Sequence, residues 1–447
     1  MAKALPKLAE NPILGSILPF RNERLELFKR VRRECGELGT FRVGPLSVLL
    51  VNSPKAIQEV TVEQSDAFEG GLAVEALQPI FGRYSLLLLP NKEHRGYRKL
   101  MAPTFQPRKV SIFADTMVRS TLDAQARWKE GEEIDVGREM LRLTMRIVGK
   151  TLFDIDVLDE ADDFGAAITT CLEYSNHLAA NLVPIPLSWP TRRNREVRKA
   201  LAYIRQQLMQ KISERRQSGC PVTQDFTSML MGMRWENGTS LSDEQLRDNL
   251  VFIFAAGHET TANTMGWTWY LLSQHPEVYE RLRAEVDTVL QGKPPTYEDL
   301  GRLPYTHQVI KEVMRIYPVG YFFGREARRD VEITGYRVPK GTFAAISPYT
   351  LHRDPVHFPE PERFDPERFS PEREAQLPRY AYLPFGSGMH MCLGMHFFMI
   401  EAPLLLATFI QGVQLDVLPG QTVTPVAEVS LRPSRILARV HHRSQAA

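Results

Sequence analysis

Residues 241–275, LSDEQLRDNLVFIFAAGHETTANTMGWTWYLLSQH, read as one uninterrupted helix, and few architectures can house it. Ser242 followed by Gln245 makes a capping box, and Pro276 forces a stop. The helix is then about thirty residues long, against a usual ~11–12. It is polar at its start and nearly all apolar in its middle, the pattern of a helix that crosses a whole core. Pro276 opens a following helix ending near Gly292, and YTHQVIKEVMRIYP predicts another that stops at Pro318. GTFRVGPLSVLLVN reads as two short strands around a Gly-Pro turn. VEITGYRVPKGTFAAIS and VQLDVLPGQTVTPVAEVSLRP carry similar strand and turn signals. No repeat or low-complexity linker divides the chain. The expectation is one domain over residues 1–447, mainly α with small β-sheets.

Composition excludes several classes. Hydrophobic content of 43% and charge of 24% are those of a soluble globular protein, and a net charge of +2 gives no reason to expect nucleic acid. The N-terminus, with three prolines and no continuous apolar run, is neither a signal peptide nor a membrane anchor. GMHFFMIEAPLLLATFI is broken by His396, Glu401 and Pro403, so a buried helix is the better reading than a membrane span. Cys35, Cys171, Cys220 and Cys392 show no paired spacing, which excludes a disulfide framework and a zinc ribbon. A cytoplasmic, monomeric protein is expected.

Two stretches demand a chemical explanation. AAGHETTAN interrupts the apolar centre of the long helix with Gly257, costing about 1 kcal/mol relative to alanine, and with Glu259, Thr260 and Thr261. Its hydroxyls could bond back to carbonyls one turn earlier. Alternatively the helix opens for a small ligand, with Glu259 and Thr260 supplying protons. FGSGMHMCLGMHFFMIEA sets one cysteine, Cys392, among Gly386, Gly388 and Gly394 before an apolar helix. Glycines there let something flat or bulky approach the main chain.

Taken together, the motifs resemble those of the cytochrome P-450 family. FGSGMHMCLG fills every position of its haem-binding signature, through Phe385, Gly386, Gly388, His390, Cys392 and Gly394. AGHETT is similar to its oxygen-activation motif, and KEVMR to its Glu-x-x-Arg pair through Glu312 and Arg315. PERFDPERF resembles the segment that follows, with Arg363 as third member of the charge cluster. The resemblance implies that family's fold, a triangular helical body around a buried haem b. Cys392 is the implied axial thiolate, which pushes electron density toward the iron's far side. It also implies that His94 and Arg98 (in EHRGYRKL), Arg325 (in FFGREA) and His390 face the haem propionates. Phe385, Gly386, Gly394 and Ala256 are implied haem contacts, and Thr260 with Glu259 the proton-delivering pair. Helical spacing places Phe252, Ala256 and Thr260 on one face; Ala255 and Val319 are added as substrate-pocket residues. Glu312, Arg315 and Arg363 are implied to hold the cysteine loop in shape, and His352 and His357 in HRDPVHF to lie on the surface.

The implied activity is insertion of one atom of O2 into an apolar molecule, by hydroxylation or epoxidation of a fatty acid, terpenoid or steroid-like compound. The apolar segments 68–89, 174–189 and 317–323 are expected to line the pocket. AGHETT tilts the reading slightly toward fatty acids, although FRVGPLSVLLV offers no arginine–tyrosine anchor for a carboxylate. The chain has no GxGxxG strand–helix unit, flavin-like domain or iron–sulfur cysteine set. Electrons are therefore expected from a separate ferredoxin or flavodoxin and its NAD(P)H reductase, docking on Arg95, Lys99, Arg108 and Lys109. Two rivals stand beside this reading. A peroxide-driven haem-thiolate peroxygenase would not need the Glu259–Thr260 pair, and a haem gas sensor or carrier would need a signalling domain.

Overall fold

The computed structural model describes residues 3–155, 162–180, 186–217 and 225–443. Cys220 and the middle of segment 174–189 lie outside them. In chain order the longer helices are α1 (Arg24–Cys35), α2 (Asn91–Met101), α3 (Ala114–Arg127), α4 (Val136–Phe153), α5 (Asp162–Ala180) and α6 (Arg192–Gln217). They continue with α7 (Asp243–Gln274), α8 (Pro276–Leu290), α9 (Pro304–Ile316) and α10 (Met395–Gly412). The long helix is α7. The Gln245 amide donates to Ser242 Oγ (3.2 Å), and the Ser242 amide donates to Gln245 Oε1 (2.8 Å), closing the capping box. From Thr261 to Trp269 every residue is buried, so the helix is enclosed on all sides there. Gly257 lets α4 come close, since a Cβ at that position would lie 3.2 Å from Val148 Cγ2.

The strands are β1 (Leu38–Val43), β2 (Leu46–Val51), β3 (Phe68–Glu69), β4 (Glu133–Asp135), β5 (Phe323–Ala327), β6 (Val331–Ile333), β7 (Tyr336–Val338) and β8 (Phe343–Ile346). β9 (Val413–Val417), β10 (Pro425–Ala427), β11 (Leu431–Pro433) and β12 (Leu437–His442) follow. One five-stranded sheet has the order β1-β2-β8-β5-β3, and only its β2–β8 pair is parallel. β1 and β2 pair in register from Leu38↔Val51 to Val43↔Leu46, leaving the two-residue loop Gly44-Pro45. Gly44 has φ +62°, the left-handed conformation such a tight loop requires. A three-stranded sheet β4-β12-β9 and the hairpins β6–β7 and β10–β11 complete the β structure.

Among the described residues one helix, α10, is long and apolar enough to cross a membrane, and 67% of that stretch is buried inside the protein. Every residue from Ala402 to Ile410 is buried, and Phe409 stacks on Trp128 with ring centroids 5.4 Å apart. Its apolar surface is core surface.

Candidate active site

The cysteine lies in a loop held by its own backbone. The Gly386 amide donates to Leu383 O (3.2 Å), Met391 N–H to Gly388 O (3.2 Å) and Cys392 N–H to Phe385 O (2.8 Å). Gly386 and Gly388 have φ of +70° and +68°, and a Cβ on Gly388 would lie 2.0 Å from the Thr61 carbonyl oxygen. No other residue fits there. Cys392 lines a cavity and keeps an exposed surface. Burial pushes its thiol up, while the Gly394 amide and the Arg98 guanidinium pull it down. Gly394 is also the N-cap of α10, so the positive end of a helix faces the sulfur.

The cavity, about 460 Å3, gathers its basic side chains into one cluster. His94, Arg98 and Met101 project into it from one face of α2, as i, i+4 and i+7 spacing requires. Arg325 joins them from β5, and His390 from the cysteine loop. The His94 and His390 rings are 4.0 Å apart. Arg98 Nη1 donates to Met391 O (2.5 Å) and Arg325 Nη1 to Gly324 O (2.8 Å), but among the described residues neither has a carboxylate partner. Burial and the two arginines push His94 down to about 4. Burial, then Arg325, His94 and Arg98, push His390 to about 2. Burial brings Arg325 to about 10, still protonated at neutral pH. His94 Nδ1 is buried without a partner. Asn91, not anticipated from sequence, orients the cluster. Its amide N–H groups donate to Ser65 O and Phe68 O, which leaves its Oδ1 to accept from His390 Nε2 at 3.1 Å. Two charged arginines and two neutral histidines, with no carboxylate partner for the arginines among the described residues and a thiol lining the same cavity, suit haem, whose two carboxylates would balance Arg98 and Arg325.

From α7 the cavity is lined by Phe252, Ala256, Gly257, Thr260, Thr261 and Thr264. Val319, Phe385, Gly386 and Gly394 also line it. Ala255 does not: it is buried (7% exposed) but turned out of the lining, one 100° step from Ala256. Glu259 is likewise turned away from the lining. Its Oε1 accepts from Ser430 Oγ on the β10–β11 hairpin; burial pushes its carboxyl up, against the pull of Ser430 and Asn263. Sequence neighbours on a helix face different ways, so Glu259 and Thr260 are not brought together. Thr260 Oγ1 donates to Ala256 O (2.7 Å), the back-bonding foreseen for this helix. An acid also outside the lining, Glu401 of α10, bonds to a lining residue: its Oε2 accepts from Thr261 Oγ1 at 2.8 Å. Glu401 is fully buried, and burial pushes it to about 8. The signal for it was a carboxylate inside an otherwise apolar helix.

Beneath the loop, Glu312 and Arg315 are both fully buried and joined twice, at 2.7 and 2.8 Å. The third member is Arg368, 5% exposed, with Nε 3.4 Å from Glu312 Oε1. Arg363 is not: its side chain is on the surface beside Glu360, and only its carbonyl accepts from Arg315 Nη2 at 3.1 Å. The two PERF repeats contain equivalent arginines, and the turn between them decides which one points inward. His352 is also misplaced by the sequence reading. It is fully buried, while His357 is half-buried and touches no part of the cavity.

A family model described as Cytochrome P-450 matches residues 5–439. The chain is 34% identical over 425 residues to cyclooctatin synthase of Streptomyces melanosporofaciens, covering 94% of this chain and 92% of that protein. It is 34% identical over 415 residues to pentalenene oxygenase of Streptomyces avermitilis, covering 92% and 91%. Among solved structures, the retinoic acid-bound cyanobacterial CYP120A1 superposes with a TM-score of 0.88 at 26% identity, covering 99% of this chain and all of that one. The chain belongs to the cytochrome P-450 family.

Proposed function

We propose that this cytochrome P-450 monooxygenase oxidises a neutral, apolar substrate of the terpenoid class. The observation that carries this reading is the distribution of charge around the cavity. Every basic side chain in its described lining, His94, Arg98, Arg325 and His390, belongs to one cluster. If haem b takes that cluster, its two carboxylates occupy all four. The rest of the described lining is apolar, with Phe252, Val148 and Leu86, apart from threonine and serine hydroxyls, and it holds no further cation to meet a substrate carboxylate. Burying a carboxylate without a partner costs several kcal/mol. The charge distribution therefore favours an uncharged substrate over a fatty acid. The names of the two Streptomyces relatives point the same way.

In this reading Cys392 ligates the iron, and the bound haem supplies the oxygen chemistry. Phe252 and Val319 shape the substrate space, and Thr260 Oγ1 holds a proton donor on the cavity side of α7. The chain acts as one catalytic domain, monomeric and cytoplasmic. A panel of ligands tests the substrate class through the low-to-high-spin absorbance shift. Neutral di- and sesquiterpenes should produce it at lower concentration than fatty acids or retinoic acid of similar carbon count. Tighter binding by the acids would refute the neutral-substrate reading.

Electrons are proposed to arrive from a separate ferredoxin or flavodoxin with its reductase. Arg95, Arg108 and Lys109 are exposed on or just after α2, the helix that carries Arg98. Lys99 is already paired with Glu236 at 2.6 Å, so it adds less to the patch than its sequence position suggests. Charge reversal at Arg108 and Lys109 should slow reduction by an acidic donor and flatten its salt dependence. Reduction kinetics that stay the same at every ionic strength would remove the patch from the account.

A further inference from the structure

We propose that His352 is a positioning residue for the cysteine loop, transmitting the fixed geometry of the buried Glu312–Arg315 pair to the chain segment that carries Cys392. The proposal rests on the haem-thiolate reading and adds to it a residue of the HRDPVHF segment.

His352 is fully buried and connects at both ends. On the ion-pair side, Arg315 Nη1 donates to the His352 carbonyl at 2.9 Å. The His352 amide donates to Pro348 O at 2.8 Å, fixing its own backbone. On the loop side, the Leu383 amide donates to His352 Nε2 at 2.8 Å. From there the backbone bonds continue: Leu383 O accepts from Gly386 N–H, and Phe385 O accepts from Cys392 N–H. The ring lies 5.0 Å from Tyr382 and 6.2 Å from Phe358 between centroids, and Tyr382 gives a parallel tether by donating from its hydroxyl to Lys311 O at 2.8 Å.

An imidazole accepts an amide proton only when that nitrogen is unprotonated. His352 meets this condition, because burial, with Arg315 and Arg353 nearby, holds it down at about 3. The ring proton is then on Nδ1, facing the carbonyls of Arg315 and Met314 without closing a full hydrogen bond. A side chain of the same bulk that cannot accept would leave the Leu383 amide buried and unpaired. The loop would relieve that by shifting at Leu383, two residues before Phe385 and upstream of the Phe385–Cys392 bond.

The test compares His352→Phe with His352→Gln in the full-length, haem-loaded protein. Glutamine restores an acceptor near the Nε2 position, and phenylalanine keeps the ring alone. The readout is the fraction of the reduced, carbon monoxide-bound protein that shows the red-shifted Soret band of thiolate ligation. It is taken at equal haem content and equal far-UV circular dichroism. His352→Phe should lower that fraction several-fold, and His352→Gln should keep it near the wild-type value. Two results would overturn the proposal: His352→Phe matching the wild type, or His352→Gln falling as far as His352→Phe. If His352→Phe does not accumulate as folded protein, His352→Gln decides alone, a retained band supporting the acceptor role and a lost band refuting it. A wild-type protein lacking the band would refute the haem-thiolate reading itself, a different failure from equal bands in wild type and His352→Phe.

Discussion

Replacing Glu312 with glutamine is expected to destabilise the protein by about 3–5 kcal/mol, the usual cost of removing one partner from a buried ion pair. Arg315 is fully buried and cannot shed its charge, so it would keep only neutral acceptors, the carbonyls of His352, Pro361 and Arg363 and the glutamine's one amide oxygen, and would lose its counter-charge. Arg368 would lose the same carboxylate, and the new amide NH2 would face a donor, either Arg315 Nε or the Asp365 N–H, where an acceptor now stands. Whole domains are stable by only ~5–15 kcal/mol, so a loss of this size is a large share of the total. The measurement is denaturant unfolding together with haem content per folded chain, and both should fall. An unfolding free energy within about 1 kcal/mol of wild type would mean that the cluster is replaceable. Arg363→Ala is the control: its exposed side chain pairs only with Glu360 at 3.3 Å, so it should change stability by less than ~1 kcal/mol.

Thr260→Ala should separate oxygen consumption from product formation. The hydroxyl sits on the cavity face of α7, a turn beyond Ala256, and bonds back to the Ala256 carbonyl. Removing it leaves the helix's own hydrogen bonds intact, so folding, haem content and ligand-induced spin shift should be nearly unchanged. In the proposed function, what is lost is a proton held where reduced oxygen is handled. Assistance of that kind is typically worth ~10²–10⁴-fold. Product per reductant oxidised should fall, with hydrogen peroxide or superoxide released in its place. An unchanged ratio in folded protein would leave Thr260 as packing, and attention would pass to Thr261 and the buried Glu401.

The features readable from the chain were those written locally. Ser242 and Gln245 announce the start of α7, Pro276 its end, and the Gly-Pro pair at 44–45 the β1–β2 loop, because caps and turns depend on a few adjacent residues. His94, Arg98, Arg325 and His390 came together as a set only through the family resemblance, since spacing alone pairs no more than His94 with Arg98, and all four line the cavity. What failed depended on direction. Glu259 and Ala255 sit beside Thr260 and Ala256 in sequence, but a 100° step per residue turns them off the cavity. Arg363 and Arg368 occupy equivalent places in two PERF repeats, and only the path of the chain sends Arg368 inward. His352 looked superficial because its partners, Arg315 and Leu383, are 37 and 31 residues away. The preference for a neutral substrate needed the cavity itself, since it depends on where the four basic groups gather.

The central claim, that Cys392 is the thiolate ligand of a haem held in this cavity, is tested most directly by one spectrum. The reduced protein under carbon monoxide should show the red-shifted Soret band of a thiolate-ligated haem, and Cys392→His, still carrying haem, should lose that shift. The same red-shifted band in wild type and Cys392→His would contradict the account.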